Sequence, residues 1–216
     1  MRKPAPVEPT RPRNKPLKRP TQARARFTVE AIYDAFVRIW RQRGWEGLTT
    51  RAVALETGVA VGTLYDYFPN KEALLSGYVR HHVELLLQRL DREVVLATGL
   101  DWQTRVRRLV RLSCDQAEEL HRPFFDAALL LLEDRIAEPK HHQRVFEEVS
   151  GKWREAIAAC ADLPRLPSAE TVDALFTALW GGRRYSLTAG FDGARVEAWL
   201  QQMEMLCCIR LAHVES

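Results

Sequence analysis

The stretch Thr49-Thr50-Arg51-Ala52-Val53-Ala54-Leu55-Glu56-Thr57-Gly58-Val59-Ala60-Val61-Gly62-Thr63-Leu64-Tyr65-Asp66-Tyr67-Phe68, closed by Pro69-Asn70-Lys71, decides the fold. It reads as two short helices joined by a tight turn. Thr49 is a good N-cap, because its hydroxyl accepts from a free amide of the first turn. Val53, Ala54 and Thr57 follow at helical spacing. Gly58 stands where that helix must stop and the backbone needs positive φ. Val59 plugs the turn. A second helix runs from about Ala60 to Phe68, with Leu64 and Phe68 facing inward one turn apart and Pro69 ending it. Two short helices so joined form a helix-turn-helix, whose second helix enters the major groove of DNA.

On the N-terminal side, a helix is expected over about Thr28 to Arg43. Ala31, Ile32, Ala35, Phe36 and Ile39 recur at helical spacing and make one apolar face, while Glu30, Asp34, Arg38 and Arg41 point out. Gly44 caps its end. Before it, residues 1–20 hold six prolines and almost nothing apolar. Such a segment buries too little to offset the entropy of ordering, so residues 1–24 are expected to be a disordered basic arm. Residues 1–26 carry nine Lys and Arg against Glu8, a net +8, whereas the whole chain carries +4. A basic arm on a mildly acidic body suggests a polyanionic partner. Arg24 and Arg26, nearest the first helix, are the arm residues expected to reach a minor groove.

With these residues in place, the run from Phe27 to Leu75 resembles the DNA-binding domain of the tetracycline-repressor (TetR) family. The residues that carry the likeness are the helix 28–43, Gly44-Trp45-Glu46-Gly47-Leu48-Thr49, Val53-Ala54, Thr57-Gly58-Val59, Gly62-Thr63-Leu64-Tyr65-Asp66-Tyr67-Phe68 and Asn70-Lys71-Glu72-Ala73-Leu74. The remainder shows only an all-helical pattern of the usual length. The fold class expected is all-α: a three-helix head over 25–72 and a helical-bundle body over 73–216 for effector binding and dimerisation.

In the body, Asn70 caps a long helix to about Leu96, which in the family links head to body. His81-His82 lies on it, and adjacent side chains diverge by about 100°, so they form no metal pair. Thr98-Gly99 breaks the chain and Asp101 caps a helix to about Leu120. Arg105, Arg107, Arg108 and Arg111 on it read as a solvated basic face. Pro123 starts a short apolar helix ending at Glu133-Asp134, whose all-round hydrophobicity predicts burial. A helix from about Pro139 carries Val145, Phe146, Val149, Trp153, Ile157 and Cys160. Ser168 caps a helix over 169–189, with Val172, Leu175, Phe176, Leu179 and Trp180 on one face and Ala174, Ala178, Gly181 and Gly182 beside it. Asp192 caps the last, over about 193–213. These two amphipathic helices look like half of a four-helix dimer interface, as in TetR-like proteins.

For DNA, Thr49, Arg51, Thr63, Tyr65, Tyr67 and Lys71 are the expected phosphate donors, and Val61, Gly62 and Thr63 lie nearest the base edges. Ala60 and Val61 occupy positions where relatives often carry polar residues, so sequence reading leans on DNA shape and on the arm. By the resemblance, the body holds a small-molecule effector, with Phe125, Trp153, Phe176 and Trp180 as an apolar wall and Ser113 and His121 as polar handles. No catalytic motif occurs, and no Cys/His array has ligand spacing, so neither enzyme chemistry, a metal nor a cofactor is expected. With no apolar run long enough for a membrane span and no signal-peptide core, the expected location is the cytoplasm. The expected function is a homodimeric repressor released from a palindromic DNA operator by an effector. Two alternatives stay open: a ligand-independent architectural DNA-binding protein, and a thiol or metal sensor using Cys114, Cys207 and Cys208.

Overall fold

The computed structural model describes Pro16, residues 23–114 and residues 127–213. Among these residues the chain forms nine α-helices, one π-turn and no strand. It divides into two compact units, Met1–Tyr78 and Val79–Ser216.

The first unit is built on α1 (Ala23–Gly47), α2 (Thr50–Thr57), α3 (Val61–Tyr67) and the start of α4 (Lys71–Leu90). α1 begins earlier than its apolar stripe, because Ala23 to Arg26 are themselves good helix formers. Its regular course ends where Gly44 takes φ 65°, as the glycine predicts. Ile32, Ala35, Phe36 and Ile39 are buried, joined by Tyr33, whose ring packs on Phe68 and Tyr78. Thr49 caps α2 by accepting from the Ala52 amide at 3.0 Å, and Gly58 closes it at φ 71°. Leu64 and Phe68 are wholly buried, so the inward side of α3 is the one the sequence predicts. The Asn70 side chain accepts from the Ala73 amide at 2.7 Å and opens α4.

In the second unit, the long helix reaches its predicted end through a π-turn, Asp91–Val95, closed by Leu96 N–H donating to the Asp91 carbonyl at 2.9 Å. Then come α5 (Trp102–Ser113), α6 (Ala127–Ile136), α7 (Pro139–Ala158), α8 (Ala169–Thr188) and α9 (Gly193–Ala212). α5 packs on α7 and α9, and α7 on α8. The core gathers Leu90, Val94, Leu109, Val110, Val149, Trp153, Phe176 and Leu179. Asp101, Ser168 and Asp192 cap their helices as expected, each accepting from a backbone amide three residues on.

Three expectations are corrected. α5 stops at Ser113, short of Leu120, where the Ser113 hydroxyl donates back to the Leu109 carbonyl and competes with the helical bond. The arginines of α5 are not one solvated face: Arg105 is buried and Arg111 is bidentate to Glu197 at 2.7 and 2.8 Å. α6 is not buried all round, for Leu131 is more than half exposed. Gly182, small as the sequence shows, admits a neighbouring helix closely: a Cβ there would lie 2.7 Å from the ring of Trp199 on α9.

Candidate nucleic-acid interface

α3 presents one face to solvent. Val61 and Tyr65 keep 42% and 45% of their surface, and Gly62 and Thr63 are exposed beside them. A face with a bare backbone at Gly62 and two side-chain methyl-bearing residues fits close approach to base edges. Nothing polar caps α3, since Ala60 makes no side-chain hydrogen bond. The expected phosphate donors lie at the N-cap of α2, on α2 and α3, and at the start of α4. Arg51 is exposed on α2, and Arg26 on α1. Tyr67 is half-buried, with its ring against Phe68. Arg24 is helical, and its side chain lies outside the described residues.

Three of the donors have work inside the protein as well. Thr49 accepts from an amide of its own helix. Tyr65 accepts from the Thr50 hydroxyl at 3.1 Å, which holds the phenol in place and leaves its own proton for an outside acceptor. Thr50 was not singled out in the sequence, because a buried threonine next to a cap leaves no pattern of its own. Lys71 donates to the Trp45 carbonyl at 2.9 Å and lies 4.5 Å from the centre of the Trp45 ring. Its first role is therefore to tie the start of α4 to the end of α1.

Residues 32–77 match the family model for bacterial regulatory proteins of the tetR family. Over these residues the head is thus similar to the DNA-binding domain of the TetR family. The class D tetracycline repressor of Escherichia coli is 36% identical over 83 residues, which cover 38% of this chain and 36% of that protein. The transcriptional repressor KstR of Mycolicibacterium smegmatis is 42% identical over 72 residues, 33% of this chain and 35% of that protein. The chain thus spans little more than a third of the length of these curated relatives. The likeness over nearly the full length is one of fold: Thermus thermophilus FadR, a TetR-family repressor solved with lauroyl-CoA, superposes with TM-score 0.57 at 20% identity, covering 87% of this chain and 96% of that one.

In the body, four of the six candidate effector residues come together. Trp153 donates its indole N–H to Ser113 at 2.9 Å, Trp153 packs on Phe176 at 5.6 Å, and Phe176 packs on Trp180 at 5.4 Å. His121 and Phe125 lie outside the described residues. Arg183 continues this ladder with its guanidinium 4.1 Å from the centre of the Trp180 ring. It is buried, and the loss of solvent pulls it down to about 10, with Cys114 and Glu133 working the other way, so it stays charged at neutral pH. Its place is visible in the sequence: Val172, Phe176, Leu179 and Arg183 share one helical stripe.

Glu133, Asp134 and His142 bring ligand atoms within 4.8 Å of one another. Arg184 pairs with Asp134, and at Glu133 burial outweighs the charges of His142, Arg184 and Arg183 and raises the carboxyl. Burial pushes the Cys114 and Cys207 thiols up to about 12 and Cys160 to about 11, and raises the half-buried Cys208 as well, which disfavours the thiolate at each. No helix among the described residues is long and apolar enough to cross a membrane.

Proposed function

We propose that this chain is a transcription repressor that binds a near-palindromic DNA operator as a homodimer and is released by a small molecule held in its body. The observation that carries the reading is the solvent-facing side of α3, where Val61, Gly62, Thr63 and Tyr65 stand exposed over a buried Leu64 and Phe68. In the proposed complex Val61, Gly62 and Thr63 meet base edges, while Thr49, Arg51, Tyr65, Tyr67 and Lys71 hold phosphates and Arg24 and Arg26 reach the adjoining minor groove. Two copies would place their recognition helices one helical turn apart, about 34 Å, on the operator. The surface that supports pairing is on α8 and α9. Tyr185, Met205, Leu206 and Ile209 are large apolar side chains left exposed, with the small Ala174, Ala178 and Gly181 among them. Four such side chains are costly to leave in water, and a second copy of the same helix pair covers them.

For the effector, Ser113, Trp153, Phe176 and Trp180 are the proposed wall, with His121 and Phe125 completing it. The lauroyl-CoA of Thermus thermophilus FadR supports a ligand with an apolar part. Release requires that the ligand bind the DNA-incompetent form more tightly than the competent one. The deciding experiment is selection of bound duplexes from a random pool at physiological salt. A palindromic motif with half-sites about one turn apart is the expected result. A pool without a motif, held only by a steep salt dependence, would mean that the basic arm binds DNA without an operator.

A further inference from the structure

Two adjacent threonines open α2, and their hydroxyls do different things. Thr49, the N-cap, accepts from the Ala52 amide. Thr50 is the first residue of the helix and is buried, so its hydroxyl needs a partner within the protein. That partner lies 15 residues further on, in α3: Thr50 donates to the Tyr65 phenol oxygen at 3.1 Å. Threonine suits the post, because branching at Cβ stiffens χ1 and so fixes where the hydroxyl points. Tyr65 itself is nearly half exposed on the open face of α3. A phenol carries one proton and can accept as well as donate. With its oxygen accepting from Thr50, its proton is left for an acceptor outside the head. Accepting that bond also polarises the phenol, so its own O–H donates more strongly than it would alone.

We propose that Thr50 is a positioning residue for DNA: without touching the duplex, it holds the Tyr65 phenol in the orientation that donates to a phosphate. The idea rests on the reading that the head binds DNA. Affinity is gained in two ways. The phenol is ordered before the duplex arrives, so less side-chain freedom is lost on docking. Its proton also points outward, so no internal hydrogen bond has to break before a phosphate can be met. Ordering one such side chain in advance is worth about three- to tenfold in affinity. Neither gain involves a net charge, so the counterions released from DNA are the same with and without the Thr50 hydroxyl.

The test uses the full chain and a mixed-sequence duplex about three helical turns long. Thr50→Val keeps the side chain's shape and removes its hydroxyl, whereas Thr50→Ser keeps the hydroxyl and removes the methyl. Tyr65→Phe removes the phenol oxygen, and the double variant Thr50→Val, Tyr65→Phe removes both. Thr50→Val is expected to weaken binding about three- to tenfold at fixed salt, with the salt slope unchanged. Thr50→Ser is expected to stay within about twofold of the parent, and the double variant to bind no worse than Tyr65→Phe alone. A threonine that only braced α2 against α3 would act on every contact of the head, so its loss would add to that of Tyr65→Phe and lower the salt slope. Additive losses, a lowered slope, or a Thr50→Ser variant as weak as Thr50→Val overturns the proposal. Tyr65→Phe binding like the parent overturns it even where Thr50→Val does not fold, since no phenol contact is then left to position. A parent that holds no duplex sinks the DNA-binding reading itself. A missing operator motif, which would sink only the repressor reading, leaves every one of these outcomes legible.

Discussion

Two cations serve α4, one at each end, and both sit on backbone carbonyls where a helix finishes. At the start, Lys71 places its ammonium on the Trp45 carbonyl and ring, at the end of α1. At the finish, in and just after the π-turn, Arg105 grips the carbonyls of Val94, Val95 (3.3 Å) and Ala97 (2.8 Å). Both exploit the negative end of a helix and its unpaired acceptors. They differ in shape and surroundings. Lys71 is a half-exposed point charge on one carbonyl, which the Leu48 amide also reaches. Arg105 is buried, and its planar fork spans three carbonyls at once. Water can replace the first contact and cannot replace the second.

That difference has a measurable size. Arg105→Met is expected to cost about 3 kcal/mol, since it takes the donor from the buried Val94 carbonyl and from the half-buried carbonyls of Val95 and Ala97; urea unfolding measures it. Ser113→Ala comes next, at about 1–2 kcal/mol, because it orphans the indole N–H of the fully buried Trp153; a shift in tryptophan emission should accompany it. Lys71→Met is expected to cost only about 1 kcal/mol, and a loss equal to that of Arg105→Met would break the comparison. The smallest effect is one of pH. Burial works to raise Glu148, but hydrogen bonds from Arg80 and Arg144 outweigh it and hold the carboxyl below its ordinary value of 4.5. A lowered carboxyl contributes stability above that value and loses it as pH falls through the folded one. Unfolding measured between neutral pH and pH 3 should therefore show a loss of under about 1 kcal/mol that Glu148→Gln abolishes.

The same contrast explains what the sequence discloses. The caps at Thr49, Gly58, Asn70, Asp101, Ser168 and Asp192 were legible because each is a bond between residues only a few positions apart. The inward pair Leu64 and Phe68, and with it the exposed face of α3, follows from helical spacing alone. The arginines of α5 were not legible. Arg111 finds its carboxylates 86 and 93 residues away, on α9, and Arg105 finds carbonyls, which carry no mark in a sequence. A basic run looks the same whether its partners are water or the end of another helix. Lys71 shows the same limit in the head, where a residue expected to face DNA first supports its neighbours.

The π-turn has a consequence of register. Between Asp91 and Val95 the helix closes its bonds one residue later than an α-helix would. Each residue of an α-helix turns the chain by about 100° and advances it by about 1.5 Å. Deleting one residue there would let the backbone revert to ordinary bonding, but it would also change the phase between the stripe that buries Val83 and Leu90 and the carbonyls that Arg105 holds. Both could not then be satisfied together. Length at this point is thus as constrained as residue identity: a substitution within 91–95 is a local event, whereas an insertion or deletion puts the whole helix out of phase.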